Sequence, residues 1–253
     1  MINEPFAVGN SVIHRLDPRF KITAAIAYSI AVAVVYRFPS LFVAFAASLI
    51  MLWLAGLHMQ SVLKRLFLVN GFVLMFWLIL PFTAEGEVIY RVGPVALYLP
   101  GIILAGQITL KCNAILMALI ALVSTMSFAT LGRALNYMKF PEKFVFLFIL
   151  TYRYIFVIEG EYKRIWRAVK IRGFYPKTAI HCYKTYAYMI GILFIRAAAR
   201  AERVYRAMKC RGFQGRFYTL AEFQPSAINW LFSAIIVLCL AGIAYLEWIA
   251  NGF

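Results

Sequence analysis

Acidic residues are scarce in this chain. Ten Asp and Glu stand against 26 Lys and Arg in 253 residues, and charged residues of all kinds make up only 14%. Soluble domains carry roughly a quarter charged residues, so the deficit argues against a water-soluble body. The four cysteines, Cys112, Cys182, Cys210 and Cys239, show no CxxC spacing and give no zinc or disulfide pattern. They read as small packing residues. The three histidines, His14, His58 and His181, lie far apart without HxxxH or HExxH spacing, so metal binding by this chain alone is not expected. No GxxxxGK[ST] occurs, which leaves nucleotide hydrolysis to another polypeptide. The only acid inside an apolar run is Glu247, near the end of its run. That argues against an intramembrane aspartyl protease or a proton-coupled carrier, both of which need carboxylates in the membrane. The first 18 residues, MINEPFAVGNSVIHRLDP, mix polar and apolar positions and do not form a cleavable leader, so insertion is expected to start from an internal helix.

What the chain has is apolar length. Hydrophobic residues fill 64% of positions and the mean hydropathy is +0.80. Apolar runs at 20–36, 39–57, 66–82, 101–130 and 227–249 approach or exceed the ~18 residues that span a hydrocarbon core. The expected fold is all-α: a polytopic membrane protein with about five spans. Residues 83–101, with turn formers and two acids, read as the main external loop. Apolar stretches at 144–158 and 185–195 are too short to span and are crowded by basic residues. The chain therefore divides into N-terminal spans (1–130), a basic region (131–225) and a last span (226–253). Placing the N-terminus in the cytoplasm gives 1–19 with Lys21, 58–65 and 131–225 to that side, holding 3, 2 and 18 of the 26 basic residues. The positive-inside bias favours that orientation.

A basic phrase is written twice at an offset of 39: RIWRAVKIRGF at 164–174 and RVYRAMKCRGF at 203–213. Seven of eleven positions are identical and the other four exchange one apolar residue for another, so this is an internal repeat. Each copy ends an amphipathic helix. Tyr162, Ile165, Trp166 and Val169 line one apolar face. Ala197, Ala201, Val204, Tyr205 and Met208 line the other. Gly173 and Gly212 sit where a left-handed glycine stops a helix, with Arg172 and Arg211 at the last helical position. Anionic headgroups account for the flanking basic residues. Lipid electrostatics is indifferent to residue order, however, and a fixed order at two helix ends points to two equivalent sockets on a dimeric or pseudo-dimeric partner.

The pair KIRG and KCRG, together with SVIHRLDPRFKI at 11–22, resembles the transmembrane T component of energy-coupling factor transporters over essentially the whole chain. The ending RAERVYRAMKCRGFQG is most similar to CbiQ, the T subunit of cobalt uptake systems, with nickel relatives close to it. The resemblance implies two long cytoplasmic coupling helices crossing in an X, each ending in an X-Arg-X motif. These motifs are Ile171-Arg172-Gly173 and Cys210-Arg211-Gly212. Ile171 and Cys210 depart from the alanine common at that place. Each arginine would enter a groove on one of two ATP-binding cassette subunits. Arg164, Arg167, Lys170, Arg203, Arg206 and Lys209 are the supporting basic residues. The other face of the coupling helices would carry a substrate-binding S component, CbiM-like for cobalt, with a small CbiN-like subunit. ATP and magnesium would belong to the partner ATPases, and this chain would hold no cofactor and no nucleic acid. The implied site is the cytoplasmic (inner) membrane of a prokaryote. Small residues in RAAARA, 196–201, would allow close helix crossing.

In the N-terminal signature His14, Asp17, Pro18 and Arg19, Asp17-Pro18 reads as a helix cap followed by proline in the first turn. Lys111 falls ten residues inside the fourth run and is expected to find a polar partner or the interface. Arg153 is expected to meet headgroups or pair with Glu159 or Glu161. The rival readings are a T component for nickel or a vitamin, a lipid-modifying membrane enzyme using His14 and Asp17, and a membrane anchor for nucleic acid.

Overall fold

The computed structural model describes residues 9, 11–83, 88–92, 95–214 and 227–251. Among them, nine helices and one small hairpin follow in chain order: α1 (Val12–Arg15), α2 (Pro18–Val34), α3 (Phe38–Ala55), α4 (Met59–Thr83), β1 (Val88–Val92), β2 (Val95–Tyr98), α5 (Leu99–Leu122), α6 (Phe128–Tyr137), α7 (Glu142–Ile171), α8 (Ile180–Cys210) and α9 (Ala227–Asn251). The fold is all-α and polytopic. They form two compact units: α6, α7 and α8 make one; α1–α5, the hairpin and α9 make the other.

In the larger unit, Asp17 caps α2 by accepting the Arg19 backbone N–H at 3.2 Å, with Pro18 in the first turn. The Asp17 backbone N–H donates to Asn229 Oδ1 of α9 at 3.1 Å, which ties the first long helix to the last. The core is built from α2, α3, α5 and α9. Small residues, Ala44, Ala55, Ala114, Ala118 and Ala121, are buried where α3 meets α5, and they let the two backbones approach closely. Tyr28 is fully buried, and its hydroxyl donates to the Ala44 carbonyl at 2.5 Å. An unpaired hydroxyl would be costly there. Outside this core, α4 is joined to α5 by polar pairs. Asn70 and Asn113 exchange amide hydrogen bonds at 3.1 and 2.9 Å, and Trp77 Nε1 donates to Thr109 Oγ1 at 2.9 Å. Lys111 has both a backbone and a ring partner. Its Nζ donates to the Ala33 carbonyl at 2.9 Å and lies 4.3 Å from the Tyr36 ring centroid.

The structure sharpens the expected element bounds. Among the described residues, four helices are long and apolar enough to cross a membrane, α3, α4, α5 and Ile228–Trp248 within α9, against the about five expected. The run at 20–36 yields α2 of only 17 residues, short of the ~20 that span by themselves, with Arg19 and Lys21 in its opening turns. The run at 101–130 is two helices. α5 stops at Leu122, where the Thr125 hydroxyl turns back onto the Ala121 and Leu122 carbonyls at 3.0 and 3.1 Å, and α6 starts at Phe128. The segment 83–101, expected as a loop, carries the antiparallel hairpin β1–β2 among its described residues.

In the smaller unit, α6 packs on α7, with Phe128 stacked on Tyr152 at 5.0 Å between centroids. α7 and α8 run antiparallel. Trp166 stacks on Tyr186 at 6.0 Å, Glu161 pairs with Arg196, and Phe146 stacks on Phe213 at 5.6 Å, so partners fall in α7 as they rise beyond α7.

Candidate functional site

The two repeats end in the same geometry. α7 closes at Ile171 and α8 at Cys210, with Arg172 and Arg211 as the half-helical capping residues. The arginines thus stand one step beyond the expected last helical position. Gly173 follows at φ +80° and Gly212 at φ +77°, the left-handed region in which a side chain is strained. Gly173 N–H donates to the Lys170 carbonyl at 3.0 Å and Phe174 N–H to the Val169 carbonyl at 3.3 Å. At the second end Gly212 N–H donates to Lys209 at 3.0 Å and Phe213 N–H to Met208 at 3.1 Å. Both are Schellman closures, which satisfy the last carbonyls and aim the capping residue away from the helix.

Around each end the side chains also match. Lys170 Nζ lies 5.8 Å from the Trp166 ring, and Lys209 Nζ lies 5.2 Å from the Tyr205 ring. Those two pairs are the same places in the repeat. Arg164 reaches Glu161 at 3.5 Å, Arg167 Nε donates to the Lys163 carbonyl at 3.4 Å, and Arg206 pairs with Glu202. Arg203 is exposed. Of the supporting residues, therefore, several are already engaged within their own helices. Ile171 is 86% exposed, and Arg172, Cys210 and Arg211 are exposed as well, so both motifs present their variable residue and their arginine to the surroundings. Glu159 and Glu161 take Lys163, Arg164 and Arg196 as partners rather than Arg153. The hydrogen bond from Arg196 holds the Glu161 carboxyl below the usual carboxylate range, against an opposing effect of burial.

Between the helices lies an apolar groove of about 410 Å³, lined by Phe146, Leu150 and Tyr154 of α7 and by Ala197, Ala201 and Val204 of α8. The N-terminal signature sits in the other unit, where Asp17 and Pro18 cap α2 and His14 Nδ1 lies 2.6 Å from the Ser11 hydroxyl. Among the described residues, no three His, Cys, Asp or Glu side chains gather closely enough to hold a metal ion.

A family model described as CbiQ, cobalt transport protein, matches residues 9–219. The chain belongs to that family. Among the similar proteins is the energy-coupling factor transporter transmembrane protein EcfT of Thermosediminibacter oceani, 25% identical over 222 residues and 82% of each chain. The protein of the same name from Listeria innocua is 28% identical over 234 residues, 85% of each chain. A fused cobalt transport protein, CbiMQ, from Methanocorpusculum labreanum is 28% identical over 137 residues, 54% of this chain and 22% of that one. As a CbiQ-family protein the chain is a multi-pass transporter membrane component of the energy-coupling factor type, working within a transporter complex, and not an enzyme. The sequence reading missed the aromatic contacts at the motif ends and the Glu161–Arg196 bridge. The first carried a signal, since both copies of the repeat end in phenylalanine; the second carried none.

Proposed function

We propose that this CbiQ-family chain is the coupling subunit of an importer in the cytoplasmic membrane of a prokaryote, with its N-terminus inside. In this reading residues 131–225 are the coupling region and the helices of 1–130 and 226–253 are the membrane part. Two ATP-binding cassette subunits, which hold the ATP and magnesium, each receive one motif: Ile171-Arg172-Gly173 or Cys210-Arg211-Gly212. A CbiM-like S component with a CbiN-like helper captures the cargo, which is cobalt ion. The observation that carries this reading is the pair of matched, exposed, arginine-capped helix ends. Two matched plugs on one helix pair call for two like sockets.

The physical requirements of coupling fit these ends. Closure of two ATPases on nucleotide moves both sockets, and a helix end transmits the motion only through contacts that differ between open and closed states. A guanidinium offers five donors in a planar fork and holds a socket in one orientation. Glu161 and the Schellman closures keep the two ends on stiff helices. The apolar groove between α7 and α8 gives the S component a surface on the coupling helices themselves. The cobalt assignment is supported by the family description and by the fused CbiMQ relative, in which a CbiQ-type chain is covalently joined to a CbiM-type one.

The deciding experiment is co-purification of the ATPase subunits with the tagged chain from native membranes. Arg172→Ala with Arg211→Ala is expected to insert normally and to capture almost no ATPase. Arg172→Lys with Arg211→Lys is expected to recover only a small part, because lysine keeps the charge and loses the fork. Normal capture by the double alanine variant defeats the docking reading. Cobalt uptake by the assembled complex, against nickel in parallel, decides the cargo.

A further inference from the structure

The repeat does not end at glycine. Phe174 and Phe213 occupy equivalent places, one residue past Gly173 and Gly212, and each packs on the opposite helix. Phe213, after α8, stacks on Phe146 near the start of α7 at 5.6 Å and 26°. Phe174, after α7, meets Tyr186 near the start of α8 edge-on at 5.6 Å and 88°. At the repeat offset of 39, Phe146 corresponds to position 185, one residue from Tyr186. The two contacts are therefore near mirror images in the repeat: each motif's phenylalanine lands on the first turns of the helix that carries the other motif. At the first end Trp166 completes a triangle, 6.1 Å from Phe174 and 6.0 Å from Tyr186.

A phenylalanine at this place usually folds onto the last turn of its own helix. Rings that reach across to another helix do a different job, since edge-on and offset ring pairs hold a preferred geometry as well as burying area. We infer that Phe174 and Phe213 are positioning residues that lock the two arginine-bearing ends onto the opposite coupling helix and so fix the separation and aim of Arg172 and Arg211. A Schellman closure sets the direction of the chain as it leaves a helix. Without a second anchor, the whole helix tip still bends relative to its neighbour. With both phenylalanines seated, neither tip moves without the other helix, and two sockets receive plugs at a fixed spacing. The inference rests on the docking reading for its consequence, and on the ring geometry alone for the lock itself.

Cys210 provides a native reporter, because it is the exposed one among the described cysteines and sits beside Arg211. A nitroxide on Cys210 in the full chain, in nanodiscs, is expected to show restricted motion. Phe213→Ala is expected to raise its mobility, Phe213→Leu to do the same, and Phe213→Trp to restore restriction, since bulk without a ring does not restore stacking. Phe146→Ala, placed on the other helix, is expected to reproduce the effect, and the Phe146→Ala, Phe213→Ala pair to add little beyond either. In the complex, Phe174→Ala and Phe213→Ala are each expected to lower ATPase capture severalfold, with recovery by the aromatic replacement. Unchanged label mobility in both Phe213→Ala and Phe146→Ala overturns the lock. Equal recovery of capture by leucine and tryptophan also overturns it, because that outcome describes mere space filling. If Arg172→Ala with Arg211→Ala leaves capture intact, the docking reading fails while the label experiment still decides the lock.

Discussion

Gly173 and Gly212 make their contribution through backbone conformation alone. A side chain built on either meets nothing within 4 Å, so space does not demand glycine at these points. The dihedrals do, at φ +80° and +77°, where an L-residue with a Cβ is strained by roughly 1 kcal/mol or more. Gly212→Ala is therefore expected to disturb the closure after α8, re-aiming Arg211 while leaving the rest of the chain intact. The measurement is ATPase capture alongside thermal stability of the free chain. A severalfold loss of capture with a shift in melting of only a few degrees fits a local role. Full capture would mean that the arginine finds its socket whatever the closure. The two glycines were legible in the sequence because few other residues follow an amphipathic basic stretch with so clear a stop. The exact place of the arginines was not. Whether Arg172 and Arg211 end the helix or cap it is decided by the paired backbone bonds from the glycine and phenylalanine N–H groups, which no side-chain pattern displays.

At the scale of elements, α7 and α8 are held by charge between them, at Glu161, as well as by rings. Glu161 is only 13% exposed and accepts from Arg196 across the pair and from Arg164 on its own helix. Its carboxyl titrates below the ordinary range because Arg196 hydrogen-bonds the charged form. A group with a lowered folded pKa stabilises the paired state above its ordinary pKa, and that contribution disappears as pH falls through the lowered value. The α7–α8 pair is thus expected to loosen in acid, as pH falls below the ordinary carboxylate range. Trp166, stacked on Tyr186 across the same pair, reports it by fluorescence. Glu161→Gln is expected to show the loosened signal at neutral pH and to lose the acid transition. An identical acid transition in the Gln variant would place the titrating group elsewhere. The bridge was illegible in the sequence because Glu161 and Arg196 lie far apart along the chain and in different helices. Other element boundaries failed for a related reason. The apolar run at 101–130 carries only small hydroxyl residues, Ser124, Thr125 and Ser127, among Val123, Met126 and Phe128, and backbone bonds and the Thr125 hydroxyl close α5 at Leu122. The hydrophobic period showed where helices lie and not where tertiary contacts end them.

For the whole molecule, the uneven charge is the largest asymmetry: 18 of the 26 basic residues fall in 131–225. Lys and Arg are retained on the cytoplasmic side during insertion, so the face carrying both motifs is expected to lie inside, where ATPases are. Cys210 converts that expectation into a measurement on the unaltered chain. Its thiol is exposed, whereas Cys182 is buried and Cys112 and Cys239 are partly covered within span helices. A membrane-impermeant maleimide is expected to label Cys210 in inverted vesicles and not in sealed cells. Labelling from outside would reverse the topology and would separate the motifs from any cytoplasmic nucleotide. The same thiol is part of the second motif, so seating Arg211 in a socket covers it. Adding back the ATPase pair to inverted vesicles is expected to slow the labelling severalfold, and Arg211→Ala to abolish that protection while leaving the unprotected rate unchanged. Labelling that is inside-facing yet indifferent to the ATPases would keep the orientation and remove the second plug, because the arginine and the thiol are neighbours on one helix end and cannot be covered separately.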